Sequence, residues 1–280
     1  MHFDAFLQQI CPRLDLEWRK YRRRAARHRV QKRMAELGLE DYGAYLAYLT
    51  IDGAEAAVLA ERMAVSVSRF FREAQVWEAL EDQILPRLLA GTTGRRYLRA
   101  WSVGCAGGEE PYSLALLWID RLRFRYPWRR LSILASDCDA VSLRRARRAC
   151  YAPSSLRELR DGLRNRWFAD YGNLWRLSPR VTGQVRFLRH NFMTDPPPGS
   201  FDLILARYLP FTYYRGARRL RAVRRLWRAL RPGGVLMIGA KESLREDERR
   251  LFAPCYESMG IYRRRSPGAG GAAVITAIRG

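Results

Sequence analysis

The run Leu98-Arg-Ala-Trp-Ser-Val-Gly-Cys-Ala-Gly-Gly-Glu-Glu-Pro-Tyr-Ser-Leu-Ala-Leu-Leu-Trp118 constrains the fold more than any other segment. It reads as a short apolar strand, a tight loop with Gly104, Gly107 and Gly108, and a helix opening at Glu109 to Pro111. A glycine loop between strand and helix lets a ligand approach the backbone and meet N–H groups at the helix start. Glu109 and Glu110 argue against a phosphate there, because carboxylates repel a pyrophosphate. They suit ribose hydroxyls or a cation. S-adenosylmethionine, a nucleoside carrying a sulfonium, fits those charges better than NAD or ATP. Taken alone, the glycine loop is equally explained by close packing of a helix on a strand.

Three further blocks follow in order. Leu131-Ser-Ile-Leu-Ala135 is an apolar strand ending in Ser136-Asp137-Cys138-Asp139, where doubly wound nucleotide-binding sheets carry an acid for ribose hydroxyls. Phe201 to Arg207 is a third strand, and Leu230-Arg-Pro-Gly-Gly-Val-Leu-Met-Ile-Gly239 has the helix–turn–strand form common late in methyltransferase sheets. Alternation of strands and helices from Tyr97 onward predicts an α/β, Rossmann-like parallel sheet. Residues 1 to about 90 read as helical, with a basic amphipathic stretch at Leu16–Leu37, helices at Asp41–Leu49 and Ala54–Ala64, and a helix at Glu73–Leu89 that Pro86 is expected to kink or end. Gly91–Gly94 is the linker candidate, giving domains of 1–90 and 91–280. Short strands or a small insertion are expected from Arg164–Phe168, Trp175–Leu177 and Val185–Phe187, the insertion spanning about 153–186, and a closing strand at Ala273–Ile278.

Composition narrows the partners. The chain has 280 residues and a formal charge of +23, from 51 basic and 28 acidic side chains. Lys20, Lys32 and Lys241 are the only lysines, so the arginine excess reads partly as compositional bias. The charge favours acidic partners; nucleic acid is compatible but not favoured. No apolar run approaches the ~20 residues that span a bilayer, and Asp4, Asp15 and Glu17 spoil an export signal, so cytoplasmic residence is expected. Five scattered cysteines and three separated histidines offer no zinc spacing and no disulfide framework. Cys105, in the glycine loop, has no evident His or Asn partner and reads as filler.

Together these residues resemble the CheR family of chemotaxis-receptor methyltransferases. The resemblance runs through Ser66-Val-Ser-Arg-Phe-Phe-Arg-Glu73, Gly108-Glu-Glu-Pro-Tyr-Ser113, Ala135-Ser-Asp-Cys-Asp139, Phe187 to Asn191, Phe201 to Arg207, and Pro232-Gly-Gly with Glu242-Ser-Leu244. It implies an S-adenosylmethionine-dependent protein-glutamate O-methyltransferase, with product S-adenosylhomocysteine. It also implies an N-terminal helical domain, a Rossmann-like catalytic domain and a small inserted β-subdomain. Ser66, Ser68 and Arg72 fall on family positions lining the cofactor, Glu110 and Asp137 on its acidic contacts, Asn191 and Phe192 on an adenine-side pair, and Ala206 and Arg207 on a strand-end contact. Gly104 and Gly107 join them as the turn against the ligand. The family usually has Arg-Asn-Val-x-Ile-Tyr-Phe after the third strand. Here Arg207-Tyr-Leu-Pro-Phe-Thr-Tyr-Tyr214 puts Tyr208 in place of Asn and Thr212 in place of Tyr, with Tyr213 adjacent. That departure leaves the acceptor open.

A glutamate acceptor is ionised at neutral pH and needs no strong base, only a donor that holds it in line. Arg72 suits that task because a guanidinium fork matches a carboxylate; the alternative is a salt bridge to Glu73 or to another acid. Tyr213 is the second catalytic candidate, with packing as its alternative. Asp139 is better placed than Asp137 to cap the next helix. The basic helix at Arg19–Arg33 is a candidate surface for an acidic receptor helix. The rival functions are the same cofactor and fold acting on a small molecule or RNA, and a non-catalytic binding module.

Overall fold

The computed structural model describes residues 1–21, 23–63, 68–92 and 94–266. Ser66, Ala64 and the expected strand at Ala273–Ile278 lie outside these.

Four helices open the chain: α1 (Phe3–Arg13), α2 (Arg23–Glu36), α3 (Tyr42–Ile51) and α4 (Gly53–Arg62). The basic stretch expected as one helix is broken, with a short turn at Trp18–Lys20 before α2. Ala26, Val30 and Met34, four residues apart, form the buried seam of α2 and leave its arginines outward. Asp41 caps α3 by accepting from the N–H groups of Gly43 (2.5 Å) and Ala44 (3.2 Å). Buried Glu55 ties three of these helices together, accepting from the Tyr45 hydroxyl (2.7 Å) and from Arg33 (2.5 Å to Nη2).

The next helix runs in three pieces, α5 (Ala74–Ala79), a π-turn at Leu80–Ile84 and α6 (Leu85–Ala90). Pro86 does not end it. The Leu85 N–H reaches back five residues to the Leu80 carbonyl, and this widened turn accommodates the proline. Val76, Trp77, Leu80, Ile84, Leu85 and Leu88 share one core cluster with the central strands, so this helix packs with the sheet and not with α1–α4.

Strands β1 (Tyr97–Val103), β2 (Arg130–Asp137), β3 (Cys150–Tyr151), β4 (Phe168–Tyr171), β5 (Leu174–Leu177), β6 (Val185–Arg189), β7 (Phe201–Leu205), β8 (Leu230–Met237), β9 (Phe252–Tyr256) and β10 (Ile261–Arg264) form two sheets. The main sheet has the order β6-β2-β1-β7-β8-β10-β9 and is parallel from β6 to β8. The β9–β10 hairpin closes it antiparallel, a feature the sequence reading missed. The small sheet, β3-β5-β4, is the inserted subdomain. Two local expectations change: Arg164 to Trp167 is helical rather than extended, and Val185 to Phe187 begins the edge strand of the main sheet.

The chain order reverses between β1 and β7, which opens a crevice at the carboxyl ends of these strands, the usual ligand site of such sheets. Trp101, Phe201, Ile204 and Leu236 join α1–α4 in one apolar cluster, so the helical domain packs on the sheet domain. Residues 15–17 also knit directly to the loop after β7. Leu16 bridges Tyr214, the Glu17 N–H donates to the Tyr213 carbonyl (2.9 Å), and the Arg215 N–H donates to the Asp15 carbonyl (2.8 Å). Among the described residues no helix is long and apolar enough to cross a membrane, and no cluster of His, Cys, Asp or Glu could hold a metal.

Candidate active site

A cavity of about 750 Å³ lies at the carboxyl ends of β1, β2, β6 and β7, closed over by α2 and the segment 68–72. Its walls bring together Ser68, Arg72, Gly104, Glu110, Asp137, Asn191, Phe192, Arg207 and Tyr213 of the residues singled out from sequence. Gly107 and Ala206 are not on the walls. Gly107 backs the turn: its carbonyl accepts from the Tyr151 hydroxyl (2.7 Å), and a Cβ there would lie 2.4 Å from the Arg145 guanidinium. Ala206 is fully buried and donates its N–H to the Met237 carbonyl at 2.9 Å, continuing the pairing of β7 with β8.

The turn after β1 explains itself locally. Gly104 has φ +67°, and a Cβ on it would stand 2.7 Å from Leu209 Cδ2. Three of the turn's N–H groups are already spent and do not serve as phosphate donors. The Cys105 N–H donates to the Ser136 carbonyl, the Ala106 N–H to Asp137 Oδ2, and the Gly108 N–H to the Cys105 carbonyl, each at 2.9 Å. A phosphate cradle needs those donors unspent. Asp137 Oδ1 accepts the Asp139 N–H at 2.9 Å, so both carboxylate oxygens are oriented by the backbone. Asp139 is the cap of the helix Ala140–Arg148, accepting from Val141 and Ser142. Burial pushes the Asp137 pKa up, with the two backbone N–H groups pulling partly against it.

Glu110 starts the helix Glu109–Leu117 and turns inward: Ser102 Oγ donates to its Oε1 at 2.7 Å, and Arg207 Nη1 stands 3.7 Å from its Oε2. Burial raises its pKa, and Arg207 and Ser102 offset part of that. Asn191 Oδ1 accepts the Met193 N–H at 2.9 Å, which fixes its side chain at the β6 end beside buried Phe192. Cys105 is buried, and desolvation and neighbouring carboxylates push its thiol pKa well up, which favours the neutral thiol of a packing residue.

Arg72, also on the cavity wall, lies over the Tyr208 ring, its Cζ 3.8 Å from the ring centroid. The Glu73 carboxylate takes Arg207 Nη2 (2.6 Å), the Ala240 N–H (3.1 Å) and the Tyr208 hydroxyl. Burial raises the Glu73 pKa, but the Tyr208 hydroxyl and Arg207 outweigh it, and the net shift is downward. Glu242, buried, accepts from the Thr212 hydroxyl (2.5 Å) and from the N–H groups of Tyr208 (2.9 Å) and Gly239 (2.7 Å), tying the loops after β7 and β8 together. Sequence reasoning assigned no role to Glu73 or Glu242, although both sit in blocks that carry the resemblance. Tyr213 is on the wall, but its ring stacks on Tyr21 with centroids 4.8 Å apart.

The donor set suits an adenosyl sulfonium. Oriented carboxylates, at Asp137 and Glu110, meet hydroxyls or positive charge, Phe192 offers an apolar face, and the spent N–H groups reject a pyrophosphate. A Rossmann-like sheet with this crevice is that of an S-adenosylmethionine-dependent methyltransferase. Two family models match the chain: CheR methyltransferase, all-alpha domain, over residues 1–64, and CheR methyltransferase, SAM binding domain, over residues 66–259. The chain belongs to the CheR methyltransferase family. A chemotaxis protein methyltransferase of Listeria monocytogenes is 32% identical over 239 residues, covering 85% of this chain and 88% of the relative. That of Escherichia coli is 29% identical over 258 residues, covering 89% and 87%. An uncharacterised 104.1 kDa protein of Rhodobacter capsulatus is 31% identical over 230 residues, which are 82% of this chain and 24% of that longer protein.

Proposed function

We propose that this methyltransferase esterifies a glutamate carboxylate on an acidic protein acceptor of the chemoreceptor kind, working in the cytoplasm and releasing S-adenosylhomocysteine. The carrying observation is Arg72: a guanidinium on the wall of the same cavity that Asp137 and Glu110 line. The names of the Listeria and Escherichia relatives support the acceptor class. When bound, the cofactor supplies a methyl activated by its sulfonium. Asp137 and Glu110 would hold its hydroxyl and cationic portions, Asn191 and Phe192 its base, and Ser68 and Arg207 the intervening wall. Arg72 would grip the acceptor carboxylate, which is already the nucleophile, so no base is required. Arg29 and Lys32 of α2 reach the same cavity and add positive charge on the acceptor's approach.

The test is methyl transfer from labelled cofactor to an acidic protein acceptor, followed by base. Release of label as methanol is expected from the wild type. Arg72→Ala should cut turnover by ~100-fold, the scale of losing an oriented charged donor, a larger effect than its weakening of S-adenosylhomocysteine binding. Base-stable label, or label on RNA, would contradict the proposal.

A further inference from the structure

The end of the sheet opposite the cavity carries an uncovered surface of aromatic rings and arginines that methyl transfer does not use. Ahead of β2 the chain runs Arg121-Leu-Arg-Phe-Arg-Tyr-Pro-Trp-Arg-Arg130, with five arginines and no acid. Phe124 and Trp128 are 81% and 72% exposed, more than any other Phe, Trp or Tyr among the described residues. Arg123, Arg125 and Arg130 are exposed along the same stretch. Tyr97, 51% exposed, joins it through the strand pairing: it opens β1 in register with Arg130, whose N–H donates to the Arg96 carbonyl at 2.9 Å.

This segment is anchored. Leu122 and Leu131 are buried at its two ends, and the Tyr126 N–H bonds back to the Leu122 carbonyl at 3.0 Å. The buried Arg129 guanidinium donates to the carbonyls of Leu89 (3.0 Å) and Thr92 (2.9 Å), pinning the stretch to the end of α6. Its inward positions are thus fixed, and its outward ones hold large rings where a solvated turn usually takes small polar residues. Rings exposed to this degree protrude, whereas a groove for a base or a peptide would cover one face of each. Acids on the flanking elements already hold partners: Glu81 takes Arg121 (3.0 Å) and Arg160, Asp120 takes Arg166 and the Trp167 Nε1–H (3.1 Å), and Asp202 takes Arg95 (2.8 Å) and Arg231 (2.9 Å). Asp82 is exposed, and its charge reaches Arg121 at the start of the stretch.

We propose that this surface docks the enzyme on anionic phospholipid headgroups, with Phe124, Trp128 and Tyr97 entering the interface and Arg123, Arg125 and Arg130 meeting the phosphates. Protruding rings set among arginines bind at the headgroup level without crossing the bilayer. The cavity lies at the other ends of β1 and β2, so the seven residues of β1, at ~3.3 Å each, hold it roughly 20 Å from the lipid. The docking is independent of which acceptor is methylated.

The test is co-sedimentation of the full chain with vesicles of equal parts phosphatidylcholine and phosphatidylglycerol, and with phosphatidylcholine alone. Binding is expected on the anionic vesicles and not on the neutral ones. Phe124→Ser/Trp128→Ser should weaken it ~30-fold, and Arg123→Gln/Arg125→Gln/Arg130→Gln ~100-fold. Melting temperature and S-adenosylhomocysteine affinity should hold in both, because every altered side chain is exposed. The overall charge of +23 sets the control: Arg180→Gln/Arg186→Gln/Arg221→Gln removes as many exposed arginines elsewhere and should weaken binding far less. Equal losses in the two arginine triples overturn the proposal, as does full binding by the aromatic variant or no wild-type binding to the anionic vesicles. A surface built for RNA would instead bind poly(U), lose it in the aromatic variant and leave vesicle binding untouched, and that result also overturns it.

Discussion

Replacing Asp137 by Asn changes one atom and sets two backbone donors against each other. In the wild type the Ala106 N–H donates to Oδ2 and the Asp139 N–H to Oδ1, both at 2.9 Å. A carboxylate accepts on both oxygens; an amide accepts on one and turns an NH2 toward the other donor. Either the turn after β1 or the start of the helix at Ala140 loses its partner. Losing one bond to a charged acceptor costs ~1.5–3 kcal/mol, and an unmet buried donor adds ~1–3 kcal/mol. If about half of this falls on the cofactor rather than on folding, S-adenosylhomocysteine affinity drops ~30-fold, because ~1.4 kcal/mol is tenfold. Calorimetric titration between pH 4 and 8 reads it, with melting curves to apportion the remainder. The pH dependence provides a second check. Burial raises the Asp137 pKa above its ordinary 3.8, and the charged form is the acceptor. Wild-type affinity should therefore fall as pH drops through that raised value, and the Asn variant should fall less steeply, keeping only the contribution of Glu110, whose pKa burial also raises. Affinity within ~3-fold of wild type, or the same acid fall in the variant, would refute the reasoning.

Two further outcomes are expected. Gly104→Ala forces an L side chain into φ +67° and drives a Cβ to 2.7 Å from Leu209; it should cost ~1–3 kcal/mol of strain, seen as a lower melting temperature with weakened S-adenosylhomocysteine binding. Glu55→Gln removes the charge that joins Arg33 and Tyr45, and should cost ~3–5 kcal/mol, as for other broken buried pairs. Burial raises the Glu55 pKa, but Arg33 and Tyr45 outweigh it and the folded value lies below the ordinary 4.5. Its contribution is thus full above pH 4.5 and is lost as pH falls through the depressed folded value. Urea melts across that range should show a larger loss in wild type than in the variant, because Glu73 and Glu81, also depressed, titrate in both.

Much of the sheet domain was legible because its signals are local. The strand, glycine turn and helix from Leu98 to Trp118, and the acid ending the second strand, are each read within one short window. Pro86 misled because a proline's usual effect assumes an unbroken α-helix, and a π-turn just before it absorbs the mismatch. Val185 to Phe187 looked like part of the insertion because an edge strand's short apolar run is the same in either sheet. Ala206 and Gly107 sit beside cavity residues in sequence, but strand pairing directs Ala206 into the sheet, and Arg145 fills the space beside Gly107. Glu73 and Glu242 could not be read as hubs at all. Gly239 apart, which is three residues from Glu242, their side-chain partners named above lie 30 to 167 residues away, and only the fold brings them together.

The pairing of residues 15–17 with Tyr213 and Arg215 has a bearing on how this enzyme can be divided. The acceptor-side loop borrows its main-chain partners from the first turns of the chain, whereas the Asp137 side draws its own from the sheet. Removing the opening helices would keep the strand pairing of β1 with β2 but strip the Tyr213 carbonyl and the Arg215 N–H of their partners. The main-chain support of the donor's turn and that of the target's loop therefore come from different parts of the chain, and a change near Asp15 bears more directly on the second.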